Sequence, residues 1–253
     1  MFHAKEYVKA ESLEQAYELN QKRSNVLAGG MMWLKMSSGN RNTVIDLSGL
    51  GLDQIEETED EFRIGCMCSL RQLELHKGLN QYFDGAFREC TRWIVGTQFR
   101  NSATVGGSVF GRFGFSDILT CMMVLDSYVE LYKGGTVSLE EFAKMKYSRD
   151  ILVRIIIKKD GRKAAYASQR RSKTDFPLIA VAAAKKDDMW YISVGARPSK
   201  AALVTRPVQT GCELSAVSMF SFGDNLRGSA DYRKSLAEIY VRRLMEQLSG
   251  EEA

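Results

Sequence analysis

QFRNSATVGGSVFGRFGFSD, residues 98–117, is the stretch on which the reading of this chain turns. Four glycines, Gly106, Gly107, Gly111 and Gly114, fall within nine residues, behind the small residues Ser102, Ala103 and Thr104. Glycine serves where a chain turns sharply or approaches a ligand closely, because it has no Cβ to clash. Successive backbone N–H groups in such a turn form a concavity suited to a diphosphate. Toward the N-terminus a second pair, Gly29-Gly30, ends the apolar run from Asn25 to Ala28. Two glycine-rich loops, each behind an apolar strand-like run, predict a nucleotide cradle. It is not the dinucleotide fingerprint of the doubly wound fold, since both pairs are adjacent and Gly49-Leu50-Gly51 lacks a third member. P-loop, zinc-protease and nucleophile-elbow motifs are also missing.

Around these loops the pattern is mixed. Residues 1–57 read as strand–helix–strand–turn–strand, with Ser12-Leu13-Glu14-Gln15 capping the helix and strands at 25–28 and 43–47. Residues 58–150 open with a strand at 62–67, followed by a Ser69–Gln72 capping box and helical sequence to about Thr91. Past the glycine-rich stretch come an apolar helix from Ser116, a strand at 128–132, a Lys133-Gly134-Gly135 turn and a helix capped at Ser138. Residues 151–253 carry short strands at 151–157, 163–168, 178–184 and 189–194, then a helix at 233–248 with Leu236, Ile239, Tyr240, Leu244 and Leu248 on one face. The fold class predicted is α+β, with a small antiparallel sheet covered by helices at the C-terminal end.

Composition narrows the function classes. The net charge of +4 comes without a Lys/Arg block, which argues against nucleic acid. The apolar run 118–125 is too short to span a bilayer, and the polar N-terminus has no secretory core, so no membrane partner and a cytoplasmic location are expected. Five scattered cysteines without CxxC spacing read as reduced core thiols, with Cys66 and Cys68 on one face of a strand. His76 reads as a solvated histidine on a charged helix. No metal site is expected.

Five ordered blocks carry a resemblance: LAGGMMWLKM at 27–36, TVIDLSGL at 43–50, FRIGCMCSL at 62–70, the stretch 98–126, and DNLRGSADYRKSLAEIYVRRL at 224–244. Together they resemble the FAD-binding medium subunit of the molybdenum hydroxylase family, the xanthine and carbon monoxide dehydrogenase type. The resemblance implies a two-part FAD-binding domain of the vanillyl-alcohol-oxidase/p-cresol-methylhydroxylase type, residues 1–57 and 58–150, followed by a C-terminal domain, 151–253, with a three- to four-stranded antiparallel sheet. It implies non-covalent FAD, with Leu27, Ala28, Gly29, Gly30, Met31, Met32 and Trp33 in the loop around the diphosphate. Ala103, Thr104, Gly106, Gly107, Ser108 and Gly111 would close over it, Gln98 and Arg100 would shape that loop, Asp117 would bind the hydroxylated linker, and Leu152 would flank the flavin ring.

The implied role is an oxidoreductase subunit passing electrons from [2Fe–2S] clusters on a partner to NAD+ or another acceptor. Molybdopterin would sit on a further subunit of a hetero-oligomer, with a homodimer as the form of the isolated chain. No catalytic side chain is implied. The chain departs from the family pattern at Met31, at Ser108, at Phe113-Gly114-Phe115, and at Ala167-Ser168, where many members carry a lysine. A stand-alone FAD-dependent reductase and a flavin-free scaffold stay open as alternatives. Arg170-Arg171 and Arg242-Arg243 read as surface or interface residues.

Overall fold

Three sheets, met in chain order, organise the computed structural model, which describes residues 1–209 and 211–250. The first is parallel, with β1 (Phe2–Lys9), β3 (Gly39–Asp46) and β2 (Val26–Ala28) in the order β1-β3-β2. Helix α1 (Leu13–Asn20) makes the crossover; Ser12 accepts from the Gln15 N–H, while the Gln15 side chain caps Glu11. Between β2 and β3 lie Gly29-Gly30 and a short 3-10 turn, Leu34–Met36. A parallel strand needs a connection that returns over the sheet, and the glycine loop is therefore left projecting from the end of β2.

The second sheet has five antiparallel strands, β4 (Ile55–Glu57), β5 (Glu61–Gly65), β8 (Leu152–Lys158), β6 (Ser127–Leu131) and β7 (Gly135–Ser138), in that order. The strand at 151–157, grouped by sequence with the C-terminal strands, pairs here instead, with Ile64 opposite Ile155 and Val129 opposite Ile155 on its other side. Its alternating apolar residues suit a central strand of either sheet, so pattern could not assign it. Six short helices run between β5 and β6: α2 (Leu70–Leu75), α3 (Lys77–Tyr82), α4 (Ala86–Thr91), α5 (Thr97–Ser102), α6 (Val105–Phe110) and α7 (Asp117–Met122). The capping boxes at Ser69 and, before α8 (Leu139–Lys144), at Ser138 are both complete. His76 is not a solvated helix residue: its Nδ1 accepts from the Leu79 N–H at 3.1 Å, capping α3, and its ring meets Phe62 edge-on. Strand β5 stops at Gly65, so Cys66 and Cys68 leave it in a tight turn, both buried.

The third sheet is antiparallel, ordered β12-β11-β10-β9, from β9 (Lys163–Gln169), β10 (Ile179–Lys186), β11 (Met189–Gly195) and β12 (Ala202–Pro207). Helix α9 (Cys212–Val217) and the long α10 (Ala230–Ser249) cover one face. Strand β10 shows how the two cores meet. Ile179, Val181 and Ala183 pack with Ala237, Val241 and Leu244 of α10, while Ala180, Ala182 and Ala184 face the core shared with the second sheet. Side chains alternate along a strand, and three alanines on one face let α7 come close. Arg233 on α10 is 1% exposed, and its guanidinium donates to the carbonyls of Leu178, Gly223 and Gly228. It ties the helix to the segments around it.

Candidate functional site

The two glycine pairs do different jobs. A Cβ on Gly30 would lie 1.6 Å from the Ser102 carbonyl oxygen, and one on Gly29 would lie 2.7 Å from Thr104 Oγ1. The first loop is therefore pressed directly against the end of α5 and the start of α6, and glycine is what permits the contact. Thr104 is held in place by a bridge to Ser69, with the Leu70 N–H donating to Ala103 O and the Val105 N–H to Cys68 O. Among the described residues, the successive N–H groups of Gly30, Met31, Met32 and Trp33 have no acceptor. Such a run of unused donors fits an anionic group.

Gly106 and Gly107 form no anion loop. They lie inside α6, and their N–H groups donate to Cys66 O and to Thr104 Oγ1. Gly106 packs on Cys66, where a Cβ would fall 2.6 Å from the Cys66 carbonyl oxygen. Gly107 differs, since a Cβ there would meet only Thr104 Oγ1, at 3.1 Å, and otherwise enter the open cleft.

That cleft, about 490 Å³, is lined by the first loop and by parts of the 94–99 segment, of α6, of residues 110–118 and of the connection from β9 to β10, with Tyr147. Its volume lies within the range of cofactor sites. One wall is a sheaf of aromatic rings. Trp33 stacks on Phe176 at 5.5 Å between centroids, Phe113 on Phe115 at 5.2 Å, and Phe115 meets Phe176 at 4.4 Å. Two of the residues lining the cleft have left-handed backbone, Met31 with φ +61° and Val95 with φ +48°, and Arg112 beside it has φ +46°; Asp84, Asp187 and Ala196 share that conformation outside the lining. Left-handed backbone is costly for such residues, most of all for a β-branched valine, and clusters at functional sites.

Asp117 opens α7, 4% exposed, and lines the cleft. Its Oδ1 receives both the Tyr166 hydroxyl from β9 and Arg170 Nη2, the latter at 2.5 Å. Burial lifts the Asp117 carboxyl above the usual carboxylate range, and the Arg170 charge and the Tyr166 hydroxyl pull against that rise. Ser116 caps α7 and also donates to Ser108 O, which joins the foot of α7 to α6.

Of the residues expected at the cofactor, Leu27, Gly29, Gly30, Met31, Met32, Trp33, Ala103, Thr104, Gly107, Ser108, Gly111 and Asp117 are brought together around the cleft. Four lie off it. Ala28 is buried in β2, Gln98 is exposed on α5, Gly106 is spent on helix packing, and Leu152 is paired with Leu131 in the core of the second sheet. Arg100, expected to shape the loop, is 6% exposed in its side chain and ion-paired with Glu74 at 2.8 Å. Sequence reasoning missed Phe115, Phe176 and Tyr147, and it read Arg170 as a surface or interface residue. The Arg170 side chain is in fact 7% exposed in the cleft wall, because a carboxylate 53 residues earlier faces it. Arg242, exposed and 3.9 Å from Glu246, does lie at the surface.

Comparison with known proteins agrees with this geometry. Residues 2–159 match the family model described as the FAD binding domain in molybdopterin dehydrogenase. The chain is 26% identical to the uncharacterized protein YgfM of Escherichia coli K12, over 98% of each chain. A shorter likeness, 26% over 49% of this chain and 44% of the other, links it to the 6-hydroxypseudooxynicotine dehydrogenase complex subunit alpha of Paenarthrobacter nicotinovorans. In fold it is similar to a chain of carbon monoxide dehydrogenase from Hydrogenophaga pseudoflava, with TM-score 0.85 and 20% identity over 98% of both chains.

Proposed function

The chain belongs to the family of FAD-binding domains of molybdopterin dehydrogenases and is an oxidoreductase subunit, and from that premise we propose that its cleft holds FAD without a covalent bond. The observation carrying this is the row of N–H groups from Gly30 to Trp33 without an acceptor among the described residues, in a cleft also lined by Gly107, whose missing Cβ leaves it open. Gly30–Trp33 would hold the diphosphate. Asp117 would accept from a hydroxyl of the linker through Oδ2, which makes no side-chain hydrogen bond among the described residues. The rings of Trp33 and Phe176 would exclude water at the mouth. Bound there, the flavin supplies redox chemistry that no side chain of this protein provides.

The chain's place, on this reading, is in a hetero-oligomeric dehydrogenase of the xanthine dehydrogenase-like kind, assembled with a [2Fe–2S] subunit and a molybdopterin subunit. Electrons would pass from the iron–sulfur centre to NAD+ or another acceptor, in the cytoplasm. That the nicotinovorans relative is one subunit of a dehydrogenase complex supports a multi-subunit assembly. The sheet order supports a flavin domain of the vanillyl-alcohol-oxidase/p-cresol-methylhydroxylase layout. Among the described residues no helix is long and apolar enough to cross a membrane.

Acid precipitation tests the cofactor directly. Native protein should release FAD into the supernatant, and Gly107→Val should fold yet bind none, because its side chain enters the cleft. A valine variant with parental FAD affinity would move the site elsewhere. Co-purified partner subunits carrying iron and molybdenum are the corresponding test of assembly.

A further inference from the structure

The β9–β10 connection brings a charged group to the cleft that the cofactor reading leaves unused. Arg170 follows β9 directly, and its guanidinium is held on two sides. Nη2 donates to Asp117 Oδ1 at 2.5 Å, and Nη1 donates to the Asp175 carbonyl at 2.6 Å. Tyr166, on β9 itself, places its hydroxyl on the same Asp117 Oδ1. Both donors fall on Oδ1, so Oδ2, which makes no side-chain hydrogen bond among the described residues, is the carboxylate oxygen left for a ligand in the cleft that Asp117 lines. The Asp175 carboxylate in turn accepts from the Phe176 N–H at 2.7 Å and from Arg227 at 3.4 Å. Arg227 lies 5.0 Å over the Phe176 ring, which stacks on Trp33 of the first glycine loop. One guanidinium therefore joins the carboxylate at the foot of α7 to the segment that sets the Phe176 ring in the cleft wall.

We propose that Arg170 is a positioning residue for the cleft ligand, acting through Asp117 to keep its Oδ2 a charged hydrogen-bond acceptor, and through Asp175 to set Phe176 against Trp33. The ligand's identity rests on the FAD reading; the hold of Arg170 on Asp117 does not. The titratable groups facing Asp117 are Tyr166 and Arg170 from β9 and its extension, and Cys90 from α4. Burial pushes the Cys90 thiol far up, and it stays neutral. Arg170 is then the one cation opposing the desolvation of the Asp117 carboxylate among these groups. Without it, Asp117 takes up a proton in the range where the parent is ionised, and Oδ2 changes from acceptor to donor.

The test compares parent, Arg170→Met, Arg170→Lys and Arg170→Met/Asp117→Asn by flavin-fluorescence titration between about pH 5.5 and 8.5. Burial already raises the Asp117 carboxyl in the parent, so parental affinity should fall only toward the acid end of this range. Arg170→Met should bind FAD about 10- to 100-fold more weakly near neutrality, the scale of a lost charged hydrogen bond, with affinity rising as Asp117 ionises. Arg170→Lys should restore most of it, and the double variant should be weak but flat. A parental profile in Arg170→Met, whatever its thermal stability, overturns the proposal. Carbon-13 NMR of the aspartate carboxyls in the apo chain gives an arm free of FAD. There the Asp117 titration should move up by at least about one pH unit in Arg170→Met, and an unmoved titration overturns the proposal. If the parent takes up no FAD, the cofactor reading fails and this carboxyl titration alone decides the role of Arg170. If Arg170→Met does not fold, the apo titration of Arg170→Lys decides: Asp117 should keep its parental titration, and one shifted as far as a lost cation predicts overturns the role of charge.

Discussion

Replacing Gly30 with alanine should force apart the two segments that form the cleft. The new Cβ would stand 1.6 Å from the Ser102 carbonyl oxygen and 2.4 Å from its carbon. Real Cβ atoms come no closer than about 3.0 Å, so the first loop or the end of α5 must withdraw by roughly 1.4 Å. The obstacle is backbone, pinned at Ala103 by the hydrogen bond from the Leu70 N–H and at Thr104 by the Ser69 bridge, and cannot swing aside as a side chain would. Overpacking of this kind costs about 1–3 kcal/mol, and this site belongs at the upper end. If the strain is relieved by opening the cleft, the same energy returns as lost FAD affinity, about 150-fold for 3 kcal/mol. Urea unfolding of the apo chain and FAD titration together measure both parts. Gly107→Ala is the control: its Cβ meets one side-chain oxygen at 3.1 Å. It should keep parental stability to within about 1 kcal/mol, since alanine suits a helix better than glycine, yet lose affinity. A Gly30→Ala protein with parental stability and parental FAD binding would refute the reasoning.

Met31→Asn should raise stability by roughly 0.5–1 kcal/mol in urea unfolding, because asparagine tolerates the φ of +61° better than methionine; no gain would mean that the loop is not strained. Burial pushes the Cys66 and Cys68 thiols up to about 12, so iodoacetamide near neutral pH should label neither until the chain is unfolded, and native labelling would contradict their placement. Burial raises the Glu74 carboxyl, but Arg100 and Arg71 outweigh it and leave the pKa lowered. The resulting stability is present above the unfolded carboxylate range and is lost as pH falls through the folded value. Glu74→Gln should flatten that acid limb and cost about 3–5 kcal/mol at neutral pH by stranding the buried Arg100; an unchanged acid limb measured by thermal unfolding would count against the pair.

How much of this was legible in the chain itself depends on the range of the interaction. The capping boxes at Ser69 and Ser138 were readable because their partners lie three residues away. The hairpin turn at Gly134 and most strands were readable for the same reason. The glycine pairs announced a close approach, but not what approached what. Gly30 meets Ser102, Gly106 meets Cys66, and only Gly107 faces open space. Strand 152–158 was plain as a strand, yet its sheet was settled by pairing with residues far away in sequence. Arg170 read as a surface or interface residue because arginines mostly are exposed. Its burial depends on a carboxylate 53 positions earlier and a carbonyl five positions later, which the fold brings to one point. Spacing within the chain specifies caps, turns and periodicity, whereas desolvation and pairing are properties of segments that meet only when the chain is folded.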